Sequence, residues 1–413
     1  SCSVHDCREN GIVSFAYDDQ TTNFYHHRDF QIRNTEVYNI AGYAAGSHKG
    51  SGIVLSQIDY SVIERCVAYN TGTLNSACGG PGGIWVWSAD NVTIQYCESH
   101  HNSSGSSTGC DGLGFDLDGG VTNSIVQYCY SHDNDGAGYL LGNFTGARAW
   151  GSNTVRYNIS INDARTNNSA VTLFTAPNTT WNGLNFYNNT VYLSGSTKNK
   201  YTTFGAFQMT DYGTNMSGVK CYNNIFQVSG SGSAGPLSLV HVPATFLPQN
   251  PVFIGNLYWS SGSTFKINYG ISYSSLSAFR ATGNEKLNGN SVGVEADPVL
   301  TGVANAASLL YPKDNNSLSQ FQLVSSSPAK DAGLDLSKEM GLSVGARDFW
   351  GGSIPTGTKY DIGAHEYGGV VSSVADGLKK TYFHIQSNPI TNGVLEVEID
   401  QVVGKLEKKP YLL

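Results

Sequence analysis

Short apolar stretches, each opened by a small residue, recur along the first half of the chain. They are Gly11-Ile12-Val13, Gly52-Ile53-Val54-Leu55, Gly83-Ile84-Trp85-Val86-Trp87 and Gly114-Phe115-Asp116-Leu117-Asp118, then Gly138-Tyr139-Leu140-Leu141, Ala170-Val171-Thr172-Leu173 and Ala206-Phe207-Gln208-Met209. Residue character alternates with a period of two, as in a strand with one buried face. Ile84, Val86, Phe115, Leu117, Tyr139 and Leu141 are therefore predicted to point inward. The outward series runs Val13, then Val54 and Ser56, then Trp85 and Trp87, then Asp116 and Asp118. It goes on through Leu140 and Gly142, Thr172 and Phe174, and Gln208 and Thr210.

About 10 to 15 residues after each stretch comes a second marker. Val126-Gln127-Tyr128-Cys129-Tyr130-Ser131-His132 is a variant of Thr93-Ile94-Gln95-Tyr96-Cys97-Glu98-Ser99-His100 and of Val62-Ile63-Glu64-Arg65-Cys66-Val67-Ala68-Tyr69. Extending the register gives Cys2, Thr35, Cys66, Cys97, Cys129, Asn158, Asn189, Asn224 and Asn256, separated by 33, 31, 31, 32, 29, 31, 35 and 32 residues. Such a period suits a rung of about three short strands plus turns, stacked in parallel on neighbours about 4.8 Å away. The chain is thus predicted to be all-β, a right-handed parallel β-helix of about nine or more rungs. Like residues then stack along the axis: Asn satisfies turn backbone and its own neighbours, and Cys is a small buried apolar residue. The change from Cys to Asn near residue 158 predicts a dry lower half and a polar upper half.

Composition agrees with many short strands. Of 413 residues 48 are Gly, 24 are Tyr and only 14% are charged, against roughly 25% in an average soluble domain. The net charge of −8 and the lack of a basic stripe argue against a nucleic-acid partner. No apolar run is long enough for a transmembrane helix. No glycine-rich phosphate loop sits between a strand and a helix, so nucleotide binding is not expected. Asn-X-Ser/Thr sequons such as those at Asn91, Asn102 and Asn178 follow from composition. The opening residues, Ser1 to Asp6, read as the middle of a repeat, so the natural protein is expected to begin earlier.

With these motifs in hand, residues 1–300 resemble the pectin-lyase-like right-handed β-helix superfamily. An ordered motif set follows: Asp297-Pro298, Phe321-Gln322-Leu323, Ser327-Pro328-Ala329-Lys330-Asp331-Ala332-Gly333, Asp348-Phe349-Trp350-Gly351 and Asp361-Ile362-Gly363-Ala364-His365-Glu366-Tyr367. It resembles the segment of bacterial surface β-helix proteins that precedes their anchors, which implies last rungs and a cap over 301–369. Residues 370–413 begin with a linker, and Gln386-Ser387-Asn388-Pro389 followed by Val394-Leu395-Glu396-Val397-Glu398-Ile399 is similar to the opening of the type IX secretion sorting domain of the Bacteroidetes. That family has Tyr-Pro before the Asn, from which Gln386-Ser387 departs, and the chain ends about halfway through such a domain. The resemblance implies a secreted or cell-surface bacterial protein exported by the type IX machinery.

Of the eight cysteines, those on the marker ladder read as reduced packing residues. Cys78 and Cys110 are one rung apart in Gly-rich loops, within disulfide reach if their loops stack. No Cys and His spacing resembles a zinc site.

The outward series concentrates the chemistry. Trp85 and Trp87 are expected to be exposed one rung below Asp116 and Asp118. Tryptophan faces suit sugar rings, and neighbouring carboxylates suit glycoside cleavage. The two Asp Cα atoms are about 6.7 Å apart on one strand. Asp111 enters from the preceding loop. His100-His101 and His132-Asp133-Asn134-Asp135 are expected to stack at the groove edge, and Arg148 comes from the next long turn. Asp116, Asp118, Asp111 and His132 are thus candidate catalytic residues, and Trp85, Trp87, Asp135 and Arg148 candidate substrate contacts. The alternatives are calcium binding or a structural role for the Asp pair and a covered site for the tryptophans. His26-His27 and His48-Lys49 read as loop residues without a constellation, and His365 as part of the cap.

Two functions follow. One is polysaccharide cleavage, with a glycoside hydrolase favoured over a polysaccharide lyase because carboxylates outnumber exposed cations. The other is a non-catalytic adhesin, glycan binder or filament component. Neither requires a cofactor; Ca²⁺ on the Asp pair is possible and would favour a lyase or a scaffold over a hydrolase.

Overall fold

A computed structural model describes residues 2–18, 20, 24–44, 47–77, 79–105, 110–210, 213, 215–300 and 315–371, together with the backbone of Phe383–His384 and Glu398–Ile399. The chain is a right-handed parallel β-helix whose turns stack three sheets of ten, eight and eleven strands. Strands such as Glu98–His100 and Tyr130–His132 build the first sheet, and Thr93–Gln95 and Ile125–Gln127 the second. The third sheet holds the alternating stretches, including Gly82–Asp90, Leu113–Leu117, Tyr139–Asn143 and Val171–Thr175. Among the described residues no helix is long and apolar enough to cross a membrane.

Both predicted registers hold. Ile12, Ile53, Ile84, Phe115, Tyr139, Val171 and Phe207 pair one above another, all facing the core. The small residue opening each stretch sits where two sheets meet. A Cβ on Gly52 would lie 2.5 Å from the Gly83 carbonyl oxygen, and one on Gly114 would lie 2.2 Å from Ser131 Oγ.

The marker ladder is continuous. Asn158 Nδ2 donates to Asn189 Oδ1, Asn189 Nδ2 to Asn224 Oδ1 and Asn224 Nδ2 to Asn256 Oδ1, each at 3.0 Å. Asn256 Nδ2 donates to Glu285 Oε1 at 2.8 Å, which ends the run. Cys66, Cys97 and Cys129 occupy the same column below, and burial, together with the neighbouring thiol, pushes the Cys97 thiol up. The upper half is polar as expected but equally dry: Asn189 and Asn224 are as buried as Cys97.

Residues 315–371 add no parallel strand to the solenoid. They lie along its flank, where Leu318, Phe321, Leu336, Val344, Phe349 and Trp350 cover an outward stripe formed by Tyr128, Tyr130, Tyr157, Tyr187 and Tyr222. Tyr128 donates to the Arg347 carbonyl at 3.2 Å and Asn188 Nδ2 to the Asp361 carbonyl at 3.1 Å, fastening the cover to several rungs. Last rungs and a cap were expected over 301–369. The side-covering arrangement follows from the tyrosines, whose apolar rings face outward and have to be buried. Of the segment read as linker and sorting domain, only Val370, Val371 and the antiparallel pairing of Phe383–His384 with Glu398–Ile399 fall within the described residues.

Candidate active site

The outer face of the third sheet carries a groove of about 1110 Å³. Its floor is the predicted outward series: Val13, Val54, Trp85, Trp87, Asp116, Asp118, Leu140, Thr172, Phe174 and Thr210 all line it. Loops raise the walls, contributing Phe15, His48, Lys49, Asp111, Phe144 and Tyr201.

Asp116 lies in register between Trp85 on one rung and Leu140 on the next. Flanking apolar groups leave it 4% exposed, and its Oδ1 has no hydrogen-bond partner among the described residues. Burial, reinforced by Asp118 and Asp111, drives its carboxyl well above the usual carboxylate range. Asp118 also has a buried Oδ1 without a partner among the described residues. Its burial outweighs the stabilising Gly119 N–H and raises it to about 7. Asp111 has a φ of 62°; its Oδ2 accepts the Gly80 N–H at 2.8 Å, yet burial still raises its carboxyl. Two adjacent carboxyls are thereby poised to hold a proton near neutral pH, a condition for acid–base work.

Trp85 was expected to be exposed, but it is 6% exposed, its Nε1 donating to Ser51 Oγ at 3.0 Å and its ring 6.2 Å from that of His48. Loop residue His48 packs against it and covers it within the floor. Trp87 is half-buried and meets Phe144 edge-on at 6.3 Å.

Three candidates lie outside the groove lining. His132 belongs to the first sheet, with its side chain fully buried, Nδ1 at 2.9 Å from Asp133 and Nε2 at 2.9 Å from Glu98. Burial lowers its basicity, but those two carboxylates outweigh the effect and hold it at about 9. It follows its rung's marker onto a face turned away from the third sheet, which linear spacing does not reveal. Asp135 caps a turn, accepting from Ser103 Oγ at 3.0 Å and the Ser104 N–H at 3.1 Å. Arg148 is committed to the N-terminal segment. Its Nη2 bonds Asp18 at 2.6 Å and the Phe24 carbonyl at 3.3 Å, and its guanidinium lies 4.9 Å over the Tyr25 ring.

His48 is the residue that reading by motif passed over. Its backbone N–H donates to the Gly79 carbonyl, 31 residues on, so the same one-rung spacing that marks the ladders places it beside the third-sheet strands. Burial lowers its basicity despite nearby Asp111, leaving the ring neutral in the groove.

Cys110, at the groove wall, is disulfide-bonded. Its expected partner Cys78 lies outside the described residues. A scan against protein-family models finds no match, and a search of curated proteins finds none either.

Proposed function

We propose that this chain is a secreted or cell-surface protein that cleaves a polysaccharide in the groove, as a glycoside hydrolase of pectin-lyase-like architecture. The observation that carries the reading is the Asp116–Asp118 pair, raised in pKa by burial and set between tryptophan and aliphatic surfaces in an open groove. Asp116, the more strongly shifted, is the general acid that protonates the leaving oxygen. Asp118 is the base or nucleophile, ionised above about pH 7. The exposed edge of Trp87 and the apolar floor provide faces for sugar rings.

Elimination chemistry fits less well. It needs a base together with a cation that neutralises a uronate. In the groove Lys49 is paired with Glu9, and His48 is held neutral. Arg148 is spent on Asp18. Export is supported by the disulfide at Cys110, which suits an oxidising compartment, and by the resemblance of residues 381–399 to a type IX sorting domain, which would make that machinery a partner.

Plant, algal and microbial glycans incubated with wild type, Asp116→Asn and Asp118→Asn provide the test. Each substitution is expected to lower kcat by about 10² to 10⁴. Wild-type activity should fall below about pH 7 as Asp118 takes up a proton, and fall again at higher pH as Asp116, raised by burial and its carboxylate neighbours, ionises. Products should carry saturated ends. Binding without cleavage by the wild type would make the chain a surface glycan binder. Cleavage that survives both substitutions would place the chemistry elsewhere.

A further inference from the structure

We infer that the first sheet carries a site for a divalent transition-metal ion, built from Glu98, His100 and His132 and separate from the groove. A carboxylate oxygen of Glu98 and one ring nitrogen each of His100 and His132 lie within 4.8 Å of one another. All three side chains are buried. Glu98 and His100 stand two residues apart on the same face of strand Glu98–His100, and His132 pairs with His100 on the next rung.

The hydrogen bonding around the cluster occupies the far nitrogen of each imidazole and leaves the other edge toward Glu98. A metal-binding imidazole commonly donates its second ring N–H to a neighbouring acceptor, which fixes its tautomer and its direction. Nδ1 of His132 is 2.9 Å from Asp133 Oδ2, and Nδ1 of His100 is 2.8 Å from His101 Nδ1. Both second positions are therefore occupied. On the other edge, His132 Nε2 meets Glu98 Oε1 at 2.9 Å. His100 Nε2 is buried and has no partner among the described residues. A buried ring nitrogen left unsatisfied is costly, and a cation beside Glu98 would satisfy it.

Two imidazoles and one carboxylate are borderline N/O donors of the kind that select Zn²⁺ or a similar ion over Ca²⁺ or Mg²⁺. The ion would join two successive buried rungs of the first sheet, a structural clip rather than a catalytic centre. The His100 and His132 rings now stack at 4.7 Å with 14° between their planes. Since a metal lies close to the plane of each ring that binds it, loading must turn the two rings out of parallel.

Titration of the metal-stripped full chain with Zn²⁺, followed by calorimetry and thermal melting, tests the site. One ion per chain and a rise in Tm are expected. His100→Phe, which keeps an aromatic ring in the stack, and Glu98→Gln should each weaken binding about 100-fold or more and abolish the Tm rise. Their metal-free melting should stay cooperative. Co²⁺ should give a spectrum without thiolate charge transfer. No binding by the wild type would overturn the assignment, and so would binding that persists in His100→Phe. Thiolate bands would do the same, pointing instead to the N-terminal Cys2 and Cys7.

Discussion

Gly142 and Phe174 set the width of the groove above Asp118. A Cβ on Gly142 would fall 1.8 Å from Phe174 Cε1, whereas one on Gly114 would meet the Gly138 carbonyl oxygen at 2.8 Å as well as Ser131 Oγ. A ring can swing away; the backbone of a neighbouring rung cannot. Gly114→Ala is therefore expected to cost about 2 kcal/mol or more in equilibrium unfolding, and Gly142→Ala about 1 kcal/mol. The second substitution should instead push Phe174 into the groove and weaken glycan binding, measurable by affinity electrophoresis; an equal stability loss at both positions would contradict this. At this scale the alternation of Trp85, Val86, Trp87 and of Asp116, Leu117, Asp118 was enough to read which side chains face out. It could not tell facing out from being exposed. Trp85 is covered by loop residue His48, and Arg148 finds Asp18, 130 residues earlier in the chain. Neither contact leaves a trace in local periodicity.

Among the elements, the two halves of the marker ladder are equally buried but differently bonded. Asn189 Oδ1 accepts from both the N–H and the Nδ2 of Asn158, and its own Nδ2 donates to the Val155 carbonyl and Asn224 Oδ1. Removing that side chain strands two buried donors on the rung below, at about 1–3 kcal/mol each. Cys97 offers its neighbours only weak sulfur contacts, such as Cys66 N to Sγ at 3.4 Å. Asn189→Ala is thus expected to destabilise by about 3 kcal/mol or more and Cys97→Ala by about 1–2 kcal/mol; urea unfolding that ranks them the other way would refute the ladder's role. This column was legible because one residue type recurs at one spacing. A second buried ladder, Thr71 to Asn102 to Asn134 to Asp163, follows a few residues later in each rung. Its mixed residue types conceal it, and the run from Asp133 to Gly136 passes for an ordinary turn. The flank cover was equally hard to foresee, because its tyrosine stripe becomes apolar surface only once the rungs are stacked.

For the whole molecule, the sum of these burials predicts an unusual dependence of stability on pH. Burial raises eight carboxyls among the described residues: Asp118 and Glu366 to about 7, Asp163 and Asp348 to about 6, and Asp111, Asp116, Glu285 and Asp361 in the same direction. A carboxyl raised on folding binds its proton more tightly folded than unfolded. The stability it contributes is complete below the ordinary value near 4 and is lost as pH climbs to the folded value. Buried neutral histidines act oppositely, costing stability as pH falls below about 6.5. His100 is lowered to about 2 and His365 to about 4, with His48, His101 and His241 shifted the same way. His132, held at about 9, sides with the carboxyls because its contribution fades above about 6.5. Through the interval from about pH 4.5 to 7 the carboxyls therefore prevail, so the Tm of the metal-free chain should be highest on the acid side and decline toward pH 8. Asp163 isolates the effect. Its carboxylate accepts from Asn134 and Ser160 inside the solenoid, and an amide of the same shape can continue that ladder without a charge. Asp163→Asn should leave Tm at pH 4 unchanged and raise it at pH 8, by up to about 3 kcal/mol in unfolding free energy for a shift of this size. A Tm that peaks at neutral pH, or an Asp163→Asn effect of the same size at both pH values, would mean that these carboxyls are not titrating inside the fold.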